Sequence, residues 1–406
     1  MAADRTFVVV GGGLAGAKAV EQLRELGFDG QLVLFAGEEH LPYERPPLSK
    51  DYLKTGEKLE DAFVHDQQWY ADHDVDLRTG TRVAAIDRAA KAVVTEAGDR
   101  VEYDRLLLAT GSSPRTLSLP GSTLTGVLSL RTIEDSDAIR GALRPGRRVV
   151  LIGGGWIGLE VAAAARERGA QVTVLESLEL PLVRVLGPTV AQVFADLHRE
   201  HDVDVRTEVT VEAIEGDGSV TGVRLASGEV VPADTVIVGI GAAPNVELAQ
   251  DAGLDVDNGI TCDAVGRTSD WDIFAVGDVA NVEHPFLGHR VRVEHWANAL
   301  NQPQIVAPAM LDEDGPEPEL PYFYTDQYDL GMEYTGLADP SDEVVVRGEL
   351  ASREFIAFWT RDGRVIAGMN VNIWDVTEPI KALIRTRAAI DPARLANPSV
   401  PLEDLA

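Results

Sequence analysis

The sequence predicts an α/β fold: two strand–glycine–helix units built to one plan, with a smaller C-terminal α/β domain behind them. Three observations predict it. The pattern GxGxxG occurs twice, at Gly11–Gly16 and Gly153–Gly158, each time between a β-branched apolar run and an alanine-rich one. Other short apolar runs end in small residues, as at Leu108 before Ala109-Thr110-Gly111. Beyond an acidic, proline-containing stretch at 311–319, strand-like runs flank an Asp362-Gly363 hairpin signal.

The first unit reads as a strand over Phe7–Val10, a turn through Gly11, Gly13 and Gly16, and a helix to about Leu26. The second reads as a strand over Val149–Ile152, a turn through Gly153, Gly155 and Gly158, and a helix to about Arg168. In such a unit the first glycine makes a tight turn. The second lets the backbone approach a pyrophosphate with no Cβ in the way, and the third lets helix and strand pack closely. Leu14, Ala15, Trp156 and Ile157 then stand at the helix starts, where unpaired N–H groups and the positive dipole end favour a phosphate. Both units are therefore Rossmann-like, and two units suggest two dinucleotides.

Each unit continues into a second strand, Gln31–Phe35 and Gln171–Leu175, that ends beside an acid: Glu38 or Glu39 in the first, Glu176 in the second. A carboxylate there can hold a ribose diol. Glu176 is followed by Ser177 and Leu178 rather than by cations, which favours NADH, because NADP would bring a phosphate against the carboxylate. Arg184, further on, is the cation that could reach back. Three more strands, Tyr103–Leu108, Thr235–Val238 and Ile273–Val276, run into Ala109-Thr110-Gly111, Gly239-Ile240-Gly241 and Gly277-Asp278. Ligands in open α/β sheets bind beyond such strand ends; Gly277 allows close approach and Asp278 can accept hydrogen bonds from a polyhydroxyl chain.

Composition narrows the function. The 406 residues carry 36 Lys and Arg against 66 Asp and Glu, a net charge of −30 that opposes nucleic acid as a partner. No apolar run reaches the roughly 18 residues of a membrane span, and Met1–Arg5 leads directly into a strand with no room for a signal peptide. The single cysteine, Cys262, forms no intramolecular disulfide and supports no cysteine-built zinc or iron–sulfur centre, so no metal site is expected. The cytoplasm is the expected compartment.

The order of Gly11–Gly16, Ala109-Thr110-Gly111, Gly153–Gly158 and Ala275-Val276-Gly277-Asp278 resembles the two-dinucleotide flavoprotein reductases. The stretch 42–50, Pro-Tyr-Glu-Arg-Pro-Pro-Leu-Ser-Lys, is more specific. It is similar to the FAD-dependent NADH:ferredoxin reductases of bacterial oxygenase and cytochrome P450 systems. Stretches 130–135, 291–296 and 324–328 support this, and the resemblance covers nearly the whole chain. It implies a glutathione-reductase-like fold with FAD in the first unit, NADH in the second and a C-terminal α/β cap. Matched residue by residue, it implies FAD contacts at Gly13, Ala15, Gly16, Arg45, Lys50, Val83, Ala109, Arg131, Asp278 and Trp296, the last in the Glu294-His295-Trp296 stretch. Gly37 stands where the family has its ribose acid, and Glu38 follows one position later.

The resemblance also implies that Lys50 stabilises negative charge on the flavin and pairs with Glu160. Related disulfide reductases carry cysteines after the first βαβ unit, whereas residues 40–54 hold none. Electrons then leave for a separate iron–sulfur carrier, a ferredoxin, and no thiol relay is available. A rubredoxin reductase and an apoptosis-inducing-factor-like flavoprotein share the motifs. The expected domains are FAD-binding at 1–112 and 243–318, NAD-binding at 113–242 and C-terminal at 319–406, in a monomer or homodimer. Because ferredoxins are usually acidic too, docking calls for a local basic patch, and Arg290 with Arg292, or Lys381 with Arg385 and Arg387, are the candidates.

Overall fold

The computed structural model describes residues 5–56 and 58–405. Its chain contacts form two compact units. The first comprises residues 5–45, Lys58–Ser113 and Ala242–Glu319; the second comprises 46–56, Pro114–Gly241 and the described residues from Leu320 onward.

The first unit is built on a parallel sheet of five strands in the order Ile273–Ala275, Arg105–Leu108, Thr6–Val10, Gln31–Phe35 and Val75–Arg78. These strands are Val-, Leu- and Phe-rich because both sheet faces are covered. Phe7, Val9, Leu32 and Leu107 point into one core with the helix residues Ala19, Val20 and Leu23. Val8, Val10, Val33 and Leu106 point into another with Ile86, Val93 and Ile260. Val10 pairs with Phe35 on one side and Leu108 on the other, so the turns after these strands lie along one edge of the sheet. The helix Leu14–Glu25 starts from that edge.

The second unit repeats the plan in the order Asp204–Arg206, Gln171–Leu175, Arg148–Ile152, Thr235–Val238 and Val127–Leu128. Ile152 pairs with Leu175 and Val238, aligning their ends in the same way. The fingerprint helix here is Trp156–Glu167. A long helix, Val183–Glu200, breaks at Gly187 (φ 70°), which precedes Pro188. The same unit holds an antiparallel sheet in the order Tyr322–Gln327, Leu330–Gly336, Arg364–Val371, Glu354–Arg361 and Glu343–Glu349. Its inner face, with Phe323, Met332, Phe355 and Trp359, packs on Leu159 of the fingerprint helix and Leu186, Val190 and Phe194 of the long one.

Most expected elements occur within two residues of their expected ends. Asp362 and Gly363 take φ of 52° and 73°, the conformation a tight hairpin requires. The strand expected from Tyr103 begins at Arg105. A tryptophan is by type more often packed in a core than left in solvent; Trp359 is buried, whereas Trp374 is 54% exposed and stands against Gly331. No helix among the described residues is long and apolar enough to cross a membrane.

Candidate functional site

In the first unit the turn after Thr6–Val10 is a cradle. Gly11 has φ of 126°, and a Cβ there would overlap the Ala109 carbonyl oxygen; one on Gly16 would overlap that of Gly11. Gly13 differs, because a Cβ there would meet nothing within 4 Å. The outer glycines are fixed by backbone packing, and the middle one faces open space at the start of a helix whose first turn is Leu14, Ala15 and Gly16. That is where a pyrophosphate fits.

Around the same sheet edge, Thr110 and Asn245 are tied twice. Thr110 Oγ1 donates to the Asn245 carbonyl at 2.8 Å, and Asn245 Nδ2 donates to the Thr110 carbonyl at 2.7 Å. Asn245 N–H also donates to the Gly111 carbonyl. Ser112 Oγ donates to Asp278 Oδ2 at 2.9 Å, and the Gly277 N–H donates to Gln302 Oε1 at 2.7 Å. Glu38 accepts from Arg45 Nη2 at 2.8 Å and from the Tyr43 hydroxyl at 2.5 Å. Burial opposes the charge on Arg45, yet Tyr43 and Glu38 hold its guanidinium above the ordinary range. Trp296 Nε1 donates to Glu44 at 3.1 Å. Burial pushes the neighbouring His295 down to about 4, so it is neutral near pH 7. Glu294 pairs with Arg292, and Val83 opens the strand Val83–Asp87.

The second unit has its own cradle. Gly153 has φ of 102° and its Cβ would overlap the Gly239 carbonyl, while a Cβ on Gly155 would find one atom, at 3.8 Å. Trp156, Ile157 and Gly158 form the first turn of the helix, and Ile157 is exposed. Glu176 is almost fully buried, accepting from Gly154 N–H and Leu178 N–H, both at 2.8 Å, and from Ser177 Oγ at 3.1 Å. Gly241 has φ of 98°, and Arg184 is exposed on the long helix. Arg131 precedes the helix Ile133–Ala142, its N–H donating to Asp135.

Lys50 and Glu160, 110 positions apart, form a buried ion pair within this unit. The Lys50 ammonium also lies 5.5 Å from the centre of the Tyr324 ring. Glu160 is reached in addition by Ser49 and Thr325, which the sequence did not flag. Their only advance signal was membership of stretches quoted for the resemblance.

Residues 5–302 match the sequence profile of the pyridine nucleotide-disulphide oxidoreductases, and 322–406 match a reductase C-terminal profile. The chain belongs to this family. Within it, the chain sits with the ferredoxin reductases. It is 42% identical to the 5,5'-dehydrodivanillate O-demethylase ferredoxin reductase subunit of Sphingobium sp. (strain NBRC 103272 / SYK-6), over 98% of this chain and 97% of that protein. It is 43% identical to the anthranilate 1,2-dioxygenase system ferredoxin–NAD(+) reductase component of Burkholderia cepacia, over 99% of each. The solved covalent putidaredoxin reductase–putidaredoxin complex matches with a TM-score of 0.95 and 38% identity, covering 99% of this chain and 98% of that one.

Unlike the disulphide-forming members implied by the family's name, this ferredoxin reductase has its one thiol sealed away. Cys262 is buried in the strand Ile260–Cys262, and burial, with Asp263 close by, pushes the thiol up to about 12. Of the candidate docking cations, Arg290 donates to the Cys262 carbonyl, Arg292 to the Asp278 carbonyl and to Glu294, and Lys381 to Glu378. Arg385 and Arg387 are exposed.

Proposed function

We propose that the chain is an FAD-dependent NADH:ferredoxin reductase that supplies a small iron–sulfur ferredoxin serving an oxygenase or cytochrome P450. The observation that carries this reading is the pair of matched glycine cradles in a chain whose single thiol is buried and high in pKa. FAD, when bound, accepts a hydride from NADH and returns the two electrons one at a time.

The chain's own residues bind, orient and set charge. In the first unit, Gly11, Gly13, Leu14, Ala15 and Gly16 receive the FAD pyrophosphate, and Glu38, Arg45, Val83, Ala109, Thr110, Gly111, Gly277, Asp278, Glu294, His295 and Trp296 frame the rest. Ser112 and Asn245 hold Asp278 and Thr110 in place for that task. In the second unit, Gly153, Gly155, Trp156, Ile157 and Gly158 receive the NADH pyrophosphate. Glu176 takes the ribose diol, with Arg184 and Gly241 close along the chain to the same strand ends. Lys50, held by Glu160, stabilises negative charge on the flavin, and Arg131 contributes a further cation. The functional domains follow as FAD-binding at 1–112 and 243–318, NAD-binding at 113–242 and C-terminal at 319–406. NADH supply places the protein in the cytoplasm.

The purified protein is expected to be yellow, with one FAD per chain, and to bleach on anaerobic addition of NADH. Cytochrome c reduction should rise at least tenfold when a [2Fe–2S] ferredoxin is added. A colourless protein that takes up no FAD refutes the reading, and ferredoxin-independent turnover refutes the choice of acceptor.

A further inference from the structure

Glu160 is the end point of a one-way run of hydrogen bonds that extends well behind the ion pair. Its carboxylate accepts from Ser49 Oγ at 2.5 Å, from Thr325 Oγ1 at 2.5 Å and from the Lys50 ammonium. Thr325 lies on the first strand of the C-terminal sheet and is buried. Its hydroxyl has one proton, which goes to Glu160, so toward its other neighbour it can only accept. That neighbour is Gln327, buried two residues along the same strand face, whose Nε2 donates to Thr325 Oγ1 at 3.3 Å.

The orientation of the Gln327 amide is thereby fixed. Its carbonyl oxygen faces Nε2 of His198, on the long helix, at 2.9 Å. A carbonyl oxygen only accepts, so His198 carries its proton on Nε2. His198 Nδ1 has no partner among the described residues, which suits a neutral ring, and burial pushes this imidazole down to about 4. The ring is also held mechanically. Tyr328 meets it edge-on at 5.3 Å and stacks on His201, one helical turn further on, at 3.7 Å.

Every donor in the series His198–Gln327–Thr325 therefore points toward Glu160. Four polar side chains buried in sequence are worth their desolvation only when each is satisfied and oriented, and such a network specifies one arrangement of its members. A lysine side chain is long and has many rotamers, and a carboxylate held by it alone could swing with it. Thr325 and Ser49 remove that freedom from the carboxylate, and Gln327 and His198 remove it from Thr325.

We propose that Thr325, Gln327 and His198 are positioning residues that lock the Glu160 carboxylate and, through it, set the place of the Lys50 ammonium for the reaction with NADH. The proposal rests on the role given above to Lys50 and Glu160.

Thr325→Val removes the donor at nearly constant volume, Thr325→Ser restores it, and Gln327→Leu cuts the run one link further back. Two readouts apply. The chain has only six lysines, so lysine-selective carbon-13 labelling gives a short NMR spectrum in which Lys50 is assigned by its loss in Lys50→Met. The Lys50 Cε signal is expected to move toward the exposed lysines in Thr325→Val and to return in Thr325→Ser. In anaerobic stopped flow, the limiting rate of flavin reduction by NADH should fall about tenfold in Thr325→Val and about threefold in Gln327→Leu, with the NADH dissociation constant unchanged and recovery to within about twofold in Thr325→Ser. In a Glu160→Gln background, Thr325→Val should add no further loss.

An unmoved Lys50 signal with a wild-type rate in Thr325→Val overturns the proposal, as does failure of Thr325→Ser to recover. If Thr325→Val does not fold, Gln327→Leu decides by the same two readouts. A wild-type protein that binds no flavin sinks the functional reading instead, while the lysine spectrum still reports on the positioning.

Discussion

Glu176 braces the loop it was expected to serve: its carboxylate accepts the N–H of Gly154, in the middle of the second glycine turn, at 2.8 Å. The acid therefore links the end of one strand to the turn after its neighbour, and its other oxygen accepts from Leu178 N–H and Ser177 Oγ. A hydrogen bond to a charged group contributes roughly 1.5–3 kcal/mol, and about 1.4 kcal/mol is tenfold in affinity. Glu176→Ala is expected to raise the KM for NADH at least about tenfold with a smaller change in kcat, and to narrow the preference over NADPH. Steady-state kinetics with both nucleotides at saturating ferredoxin measures it; an unchanged NADH to NADPH ratio would remove Glu176 from nucleotide selection.

The glycines of the first cradle separate folding from cofactor binding. Gly11→Ala places a methyl on the Ala109 carbonyl in a left-handed conformation, so it should destabilise the protein by about 2 kcal/mol or more. Gly13→Ala places its methyl in open space and should leave the apoprotein's melting temperature within about 2 °C. The same methyl stands where the pyrophosphate is proposed, so Gly13→Ala should lose most of its FAD. FAD-to-protein absorbance ratios and melting curves test both, and full FAD retention by Gly13→Ala would relocate the site.

Both parallel sheets were legible because strand and helix periods, glycine turns and apolar runs all agree locally over residues 6–35 and 148–175. The hairpin Tyr322–Gly336 was less so. Its strand Tyr322–Gln327 mixes Thr325 and Gln327 into the buried face, where alternation normally demands apolar residues. That break in pattern follows from Glu160: Thr325 donates to its carboxylate, and Gln327 donates to Thr325. Ser49, Ser112 and Asn245 were missed for a related reason. Each works through a partner more than 100 positions away, and only the folded chain brings the two together. Trp374 looked like core by residue type, but type alone does not reveal a tryptophan lying over the flat backbone of Gly331.

Asp234 gives the second unit an acid-sensitive joint. Its carboxylate takes the Arg148 N–H at 2.9 Å and the Arg148 guanidinium at 2.5 Å, fastening the strand Arg148–Ile152 to the loop before Thr235–Val238. Hydrogen bonds from the Arg148 side chain, outweighing burial, hold this carboxyl down to about 2. A folded pKa below the unfolded value of about 3.9 means stability that is present above pH 4 and lost as pH falls toward 2. After allowance for solvent screening, the contribution is about 1 kcal/mol. Asp234→Asn should therefore unfold at lower urea than the parent at pH 7, and the two midpoints should converge near pH 2. Parallel midpoints from pH 7 to pH 2 would mean that the joint does not titrate.

The buried pair Lys50–Glu160 distinguishes charge needed for chemistry from charge needed for folding. Removing one member leaves the other desolvated, which typically costs about 3–5 kcal/mol. Lys50→Met leaves the Glu160 carboxylate with two hydroxyl donors, Ser49 and Thr325, and so should sit at the lower end of that range. Replacing both members, as Lys50→Met with Glu160→Leu, removes the uncompensated charge and leaves two neutral hydroxyls to find other acceptors. The double variant is therefore expected to melt higher than Lys50→Met alone. Its flavin should nonetheless be reduced by NADH at least about tenfold more slowly than in the parent, because the cation proposed to stabilise the flavin's negative charge is gone. Melting curves and anaerobic stopped flow on the parent, the two singles and the double complete the cycle. A double variant that regains both stability and rate would show that the pair serves the fold alone.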